Sequence, residues 1–263
     1  VYGSVANKCT AQRSSTAPTG FINSVVITSS AATSFGSTDE YSIWQKIEGF
    51  NVADLGWGAA GAATVTLSFW VRSSLTGTFG GGITNGAYNR SYVFSYTISA
   101  ANTWEYKSVT IPGDTSGTWL KDNGNGMYMA FDLGSGTSLR TTAGAWNAGY
   151  YIAPTGATSV LGTNGATFYI TGVQLEKGST ATSFDFRDYG RELILCQRYY
   201  EKSYSSAVPG TGSAAPGLFD ISTASESTYA YSYIPFKVNK RDVPTMTGYT
   251  YSSGVSGSWS YAR

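Results

Sequence analysis

The sequence predicts an all-β protein: an antiparallel, jelly-roll-like β-sandwich followed by one short helix and a smaller C-terminal β-domain. Three observations lead there. Apolar residues alternate with period two in run after run, as half-buried strands require. Gly, Asn, Asp and Ser separate those runs with no helical pattern between them, so the crossovers that a parallel sheet needs are missing. Only 13% of the 263 residues are charged and 15% are aromatic, about half the usual charged share. Such a composition builds short strands, tight turns and hydroxyl-rich surfaces, and its aromatic content excludes disorder.

The first forty residues are rich in Ser, Thr and Ala and read as a strand and linker region (1–40), with one strand over 21–28 (FINSVVIT). The sandwich is expected over 41–190. Within 42–48, Ile43 and Ile47 share one face and Trp44, Lys46 and Glu48 the other. Within 64–72, Val65, Leu67, Phe69 and Val71 point one way and Thr66, Ser68, Trp70 and Arg72 the other. The glycines at 80–82 lack the Lys-Ser/Thr of a phosphate cradle and read as a flexible loop or tight turn. Runs 92–98 and 104–111, joined by five residues, read as a hairpin. Met127, Met129, Phe131 and Leu133 line the inner face of the next strand. In 167–176 the alternation changes phase at Gly172. One extra residue there predicts a β-bulge, with Phe168, Ile170, Val173 and Leu175 all inward.

A helix is predicted over 191–203, with Leu195, Cys196, Tyr199 and Tyr200 on one buried stripe. Asp188 and Glu192 stand near its start and Lys202 near its end, as the helix dipole favours. A Pro/Gly/Ser-rich break follows at 205–217. Strands are expected again at 226–238 and 245–251, so the second unit spans 191–263. The chain opens on Val1 and stops within a strand-like pattern, which suggests a piece of a longer polypeptide.

The chain contains no histidine, so Ser-His-Asp triads, Cys-His dyads and imidazole metal sites are excluded together. Cys9 and Cys196 are too distant in sequence for spacing to decide whether they pair. A net charge of +1 gives no electrostatic footprint for a nucleic acid. No apolar run approaches the length of a membrane span, so no membrane insertion is expected. The binding candidates are tryptophans. Trp44 and Trp70 lie on the polar faces of their strands, Trp57 in a glycine-rich loop, and Trp119 and Trp146 in turn-like contexts. Flat rings stack on the apolar faces of pyranose sugars, but the same rings also pack under loops or between sheets. Asp122, Asn123 and Asn125 form an oxygen-rich loop whose spacing fails the EF-hand pattern. It reads first as a hairpin turn and second as a structural calcium site. The carboxylates Glu48, Asp54, Glu105, Asp132 and Glu176 lie in or beside strands, with nothing in the spacing to pair any two as a glycosidase requires.

Several blocks in order carry a resemblance. They are Glu48-Gly49-Phe50 with Trp57-Gly58, then TLSFWVRSS at 66–74, NTWEY at 102–106, IPGD at 111–114 with Gly117-Thr118-Trp119, ITGVQLE at 170–176, LCQRYY at 195–200, and the later Phe236-Lys237-Val238 with RDVPT at 241–245. Together these resemble tail-fibre and other structural proteins of tailed bacteriophages, in which a carbohydrate-binding-module-like β-sandwich precedes "GVQLE" and a C-terminal β-domain follows "CQRYY". The resemblance implies a non-enzymatic virion component, exposed at the tail or on the capsid surface and homotrimeric. Its partners would be host surface polysaccharide and other virion proteins. A purely structural decoration or fibre-joining role, and a polysaccharide depolymerase, are the alternatives. No catalytic residue carries over.

Overall fold

In the computed structural model, residues 1–203, 235–249 and 256–257 are described. The chain forms two compact units, Val1–Asp185 and Phe186–Arg263.

The first unit is a sandwich of two antiparallel sheets. Its strands are β1 (Tyr2–Gly3), β2 (Cys9–Ser14), β3 (Ser24–Ser29), β4 (Glu40–Glu48), β5 (Val65–Ser73), β6 (Gly77–Asn85), β7 (Arg90–Ile98), β8 (Glu105–Ile111), β9 (Asn125–Ser135), β10 (Arg140–Thr141), β11 (Trp146–Ala148), β12 (Ala153–Pro154) and β13 (Thr167–Lys177). The front sheet runs β1-β4-β9-β6-β7-β11 and the back sheet β2-β3-β13-β5-β8, while β10 and β12 form a small parallel ladder. Most alternating faces fall where the sequence places them, but Glu48, expected on the outer face with Trp44 and Lys46, is buried, because the β4–β9 register shifts between Ile47 and Glu48. Val65, Leu67, Phe69 and Val71 of β5 and Met127, Met129, Phe131 and Leu133 of β9 are buried between the sheets. Phe69 of the back sheet meets Tyr96 and Phe131 of the front sheet edge-to-face at 4.9 and 5.0 Å, and such pairs add to the area they bury.

The bulge expected at Gly172 is present. The β13–β5 register shifts between Thr171 and Gln174, and Gly172 takes φ +59°. Phe168 and Ile170 lie in the core before the bulge, and Val173 and Leu175 pack against it afterwards. A Cβ at Gly172 would sit 2.6 Å from the Phe21 ring, which is itself braced edge-to-face by Phe184.

Four further expectations change. Residues 1–40 are not a linker: β2 and β3 are paired strands of the back sheet and β1 of the front sheet. Their alternation is weak in sequence because Ser and Thr occupy positions that apolar residues usually hold. Strands β7 and β8 are not a hairpin. The first pairs with β6 and β11, the second with β5, so residues 99–104 arch from one sheet to the other. A short link spans the ~10 Å between layers as readily as it closes a hairpin. The Glu105 carboxylate holds the arch by accepting from the amides of Ser99 and Ala100 at 2.8 and 2.9 Å. The glycines at 80–82 are not a loop but the middle of β6. A Cβ at Gly80 would meet Pro154 at 2.5 Å, and one at Gly82 the Tyr151 carbonyl at 2.7 Å. Bare backbone is what lets the 151–154 segment lie directly on this strand.

The fourth change concerns the second unit. Its helix α1 is Tyr189–Gln197, shorter than expected, and none of its residues is buried. Asp188 caps it by accepting from the Arg191 amide at 2.9 Å. Cys196 is exposed rather than part of a buried stripe, and both cysteines are free thiols. After the helix, Lys240 donates to the Gln197 carbonyl and to Glu201, each at 2.6 Å. The strand expected over 226–238 and the break at 205–217 lie mostly or wholly outside the described residues. Tyr249 makes one antiparallel bridge, with Ser256. Among the described residues no helix is long and apolar enough to cross a membrane.

Gly172→Ala should destabilise the sandwich by about 2–4 kcal/mol, combining the left-handed backbone penalty with overpacking against Phe21. Urea unfolding measures it, and pairing the change with Phe21→Ala should recover only the steric part.

Candidate functional site

The outer face of the front sheet carries a cluster of five aromatic rings around one carboxylate. It follows from strand alternation. On β4, Glu40, Ser42, Trp44 and Lys46 face away from the core. On β9, Tyr128, Ala130 and Asp132 do the same. The β4–β9 register sets Trp44 opposite Ala130 and Lys46 opposite Tyr128, and β6 places Thr84 opposite Tyr128. Tyr2 enters from β1 and stacks on Trp44 with centroids 5.0 Å apart and planes 18° apart. Tyr128 meets Trp44 edge-on at 5.6 Å. Tyr88 lies 4.7 Å from Tyr128 and 5.0 Å from Tyr150. The Lys46 ammonium stands 5.4 Å from the Tyr128 ring centre. Tyr2 is 48% exposed, and Trp44, Tyr88 and Tyr150 are half-buried.

Glu40 orients these rings. Its carboxylate accepts from Trp44 Nε1 at 2.6 Å, Ser42 Oγ at 2.8 Å and the Tyr150 hydroxyl at 2.9 Å. Burial pushes its pKa up, and the three donors partly offset that. A buried carboxylate bonded to two ring donors fixes where both rings stand, which is the pre-organisation that a stacking surface needs.

Tyr88 is held by backbone geometry. It sits at φ +56° in the turn between β6 and β7. The fully buried Asn85 closes that turn. Its side-chain oxygen accepts from the amides of Asn89 and Arg90 at 3.0 and 3.2 Å, and its amide donates to Asn89 Oδ1 and the Thr118 carbonyl at 2.7 and 3.0 Å. Arg90 then grips Asp114 with two bonds of 2.8 and 2.6 Å.

A second aromatic strip lies on the outer face of the back sheet. Trp70 and Tyr106 are cross-strand partners with centroids 5.4 Å apart. Tyr169 sits opposite Arg72 and meets Trp104 edge-on at 6.1 Å.

Of the tryptophans chosen from sequence, Trp44 and Trp70 therefore stand on outer faces. Trp57, Trp119 and Trp146 instead form a mutual edge-to-face knot with centroids 4.7, 5.2 and 5.5 Å apart. Trp57 and Trp119 are only 3% and 7% exposed. Every indole N–H in the knot is satisfied internally: Trp57 to the Ala63 carbonyl at 2.7 Å, Trp146 to the Pro112 carbonyl at 2.7 Å, and Trp119 to the Ser116 carbonyl at 3.2 Å and Asp114 at 3.3 Å. The gap beside the knot, lined by Val52, Leu55 and Met127, is about 10 Å³, no more than one water fills. Glycine-rich context made Trp57 look exposed, but its loop folds back and buries the ring. Tyr2, Tyr88, Tyr128, Tyr150 and Glu40 escape sequence reading. Tyr128 alone had a signal, alternating between Met127 and Met129.

In the 122–125 loop the Asp122 carboxylate accepts from the Gly124 amide at 2.8 Å, a local turn bond. No group of three or more His, Cys, Asp or Glu side chains stands together among the described residues. The candidate carboxylates are dispersed: Glu105 pairs with Lys107 at 2.6 Å, Asp54 with Lys177 at 3.3 Å, and Glu176 accepts from the Thr182 amide at 2.6 Å. Asp132 is fully buried beneath the front face. It accepts from the Gly134 amide at 3.1 Å and from the Ser135 hydroxyl, while its second oxygen has no partner among the described residues. Burial raises its pKa to about 6.

No family model matches the sequence, and no curated protein matches it. Among solved structures the chain is similar to bacteriophage CBA120 tailspike protein 4 (12% identity, TM-score 0.36, 64% of this chain and 18% of that one). It is also similar to the CBM22-2 xylan-binding domain of Paenibacillus barcinonensis Xyn10C (14%, 0.38, 66% and 89%) and to a putative sugar binding protein of Bacteroides thetaiotaomicron (12%, 0.39, 66% and 85%). The aligned region is a small part of the tailspike chain and most of each of the other two.

Two outcomes are expected. Trp57→Ala should cost about 3–5 kcal/mol of stability in thermal or urea unfolding. For Asp132 the native state binds more protons than the unfolded state between pH 4 and 6, so stability falls as pH rises through that window, by roughly 3 kcal/mol in all. Glu40 acts in the same direction. Asp132→Asn should flatten the slope of unfolding free energy against pH between 4 and 6.

Proposed function

We propose that this chain is a non-enzymatic glycan-binding module of a phage virion protein, recognising host cell-surface polysaccharide through the Tyr2–Trp44 platform of the front sheet. The observation that carries the reading is that platform: stacked rings at the protein surface, held from below by Glu40 and from the side by Tyr128, with the Lys46 ammonium beside them. Stacked aromatic faces suit the C–H faces of a pyranose, and neighbouring polar groups suit its hydroxyls. The dispersal of the carboxylates into ion pairs and turn bonds speaks against a depolymerase. The ordered sequence blocks support the assignment to a tail fibre or surface fibre on the virion. A homotrimer would raise weak single-site affinity through avidity.

A glycan array carrying neutral host-surface oligosaccharides, followed by calorimetric titration of the best binder, tests it. Trp44→Ala and Tyr2→Ala should each weaken binding roughly tenfold with the fold retained in circular dichroism. Binding left intact by both changes, or release of reducing sugar from the polymer, overturns the reading.

A further inference from the structure

The strip on the outer face of the back sheet carries a guanidinium fork, where the cation of the front platform is the point charge of the Lys46 ammonium. Arg72 lies on β5 directly opposite Tyr169 on β13, and its guanidinium stands 4.7 Å from the centre of the Tyr169 ring. Its Nε donates to the Asn102 carbonyl at 2.9 Å. That bond draws on the arch between the sheets, where Asn102 itself takes φ +57°. The side-on edge of the guanidinium is thus half used. The end-on edge, with both terminal nitrogens, has no hydrogen-bond acceptor among the described residues, and no carboxylate lies within salt-bridge distance. Glu105, the nearest acid in sequence on the neighbouring strand, is engaged by Lys107 and by the two amides of the arch.

Rings surround this fixed cation. Trp70 precedes Arg72 by two residues on the same face and pairs with Tyr106, which is 45% exposed. Trp104 approaches Tyr169 from the arch. An arginine clamped by one backbone bond and one ring has already lost much of its rotamer freedom, so a planar anion meets a prepared fork.

We propose that the back sheet holds a second saccharide site, distinct from the front platform, and that it takes an acidic sugar whose ring carries a carboxylate. The end-on fork of Arg72 bonds the carboxylate bidentately, and Trp70 with Tyr106 receives the face of the adjoining sugar. The charge argument selects this occupant. The strip offers one cation with no carboxylate partner among the described residues, set among flat rings, which matches an isolated carboxylate on a carbohydrate. A nucleic acid would need several cations along its phosphates, and the chain's net charge is only +1.

The test uses the whole chain and three probes: an oligogalacturonate, the same oligomer fully methyl-esterified, and a heparin-derived sulfated oligosaccharide. Calorimetric titration should show binding of the free acid that weakens as salt is raised, and binding at least about tenfold weaker for the ester, which keeps the shape and removes the charge. Arg72→Gln and Arg72→Lys should each reduce free-acid binding about tenfold or more, because lysine keeps the charge but loses the fork. Both variants should bind the neutral ligand of the front platform as the parent does, and Trp44→Ala should leave the free-acid affinity unchanged. Unfolding temperatures of the Arg72 variants close to the parent's exclude a folding defect, and Tyr106→Ala, at an exposed ring, gives an independent loss. Equal binding of acid and ester overturns the proposal, as does tighter binding of the sulfated oligomer or of single-stranded DNA. So does retention of free-acid binding in Arg72→Gln. Failure of the front-platform reading would instead show as neutral-ligand binding unaffected by Trp44→Ala, with the Arg72 results standing.

Discussion

The buried contact between Arg90 and Asp114 ties one end of this sandwich together. Asp114 follows β8, an edge strand of the back sheet, and Arg90 opens β7 of the front sheet. Their two-bonded pairing, with Asp114 only 1% exposed, links the layers where no ladder can. Removing one partner of such a pair leaves a buried charge uncompensated, a cost of about 3–5 kcal/mol. Two other features build on it. Trp119 donates to the same carboxylate, which seats the tryptophan knot. Arg90's own amide donates to Asn85, which closes the turn that carries Tyr88. The surface cluster is therefore anchored through a chain of polar contacts that begins in the interior.

Much of the architecture was legible in the chain because one physical rule governs it. Where a strand is half-buried, its side chains alternate, and the faces of β5, β9 and β4 as far as Ile47 could be assigned, while the register shift before Glu48 could not. The bulge at Gly172 was legible for the same reason: a break in phase beside a residue tolerant of positive φ marks one extra residue in the strand. Pairing was less legible. The six residues after β7 serve a hairpin or an interlayer arch equally well, and only the partner strands decide. The glycines of β6 misled because their value is to a neighbour 70 residues away, the 151–154 segment, and local text cannot state that.

The candidate surface was half legible. Alternation placed Trp44 and Trp70 outward, since the phase of a strand fixes the face of each residue. For Trp57 and Trp119 there was no phase to use, because they sit in loops whose course depends on distant closure. Loop tryptophans near glycine looked available, yet three rings pack edge to face on one another, and Trp57 and Trp119 are buried. The tyrosines and Glu40 were invisible for the converse reason. Tyr2, Tyr88 and Tyr150 come from separate segments, and only the order of strands in the sheet brings them to one place. Glu40 shows that a carboxylate can matter here without reacting: it positions two rings by hydrogen bonds.

The bare backbone of β6 also has a geometric consequence. Because Tyr151, Ile152 and Pro154 lie flat over Gly80 and Gly82, the middle of the front face is roofed. The stacked pair Tyr2 and Trp44 stands to one side of it, on β1 and β4 at the edge of the sheet away from β11. A polymer laid across the full width of the sheet would have to pass over that roof, so under the proposed function the Tyr2–Trp44 side would meet the terminus or a short branch of a glycan.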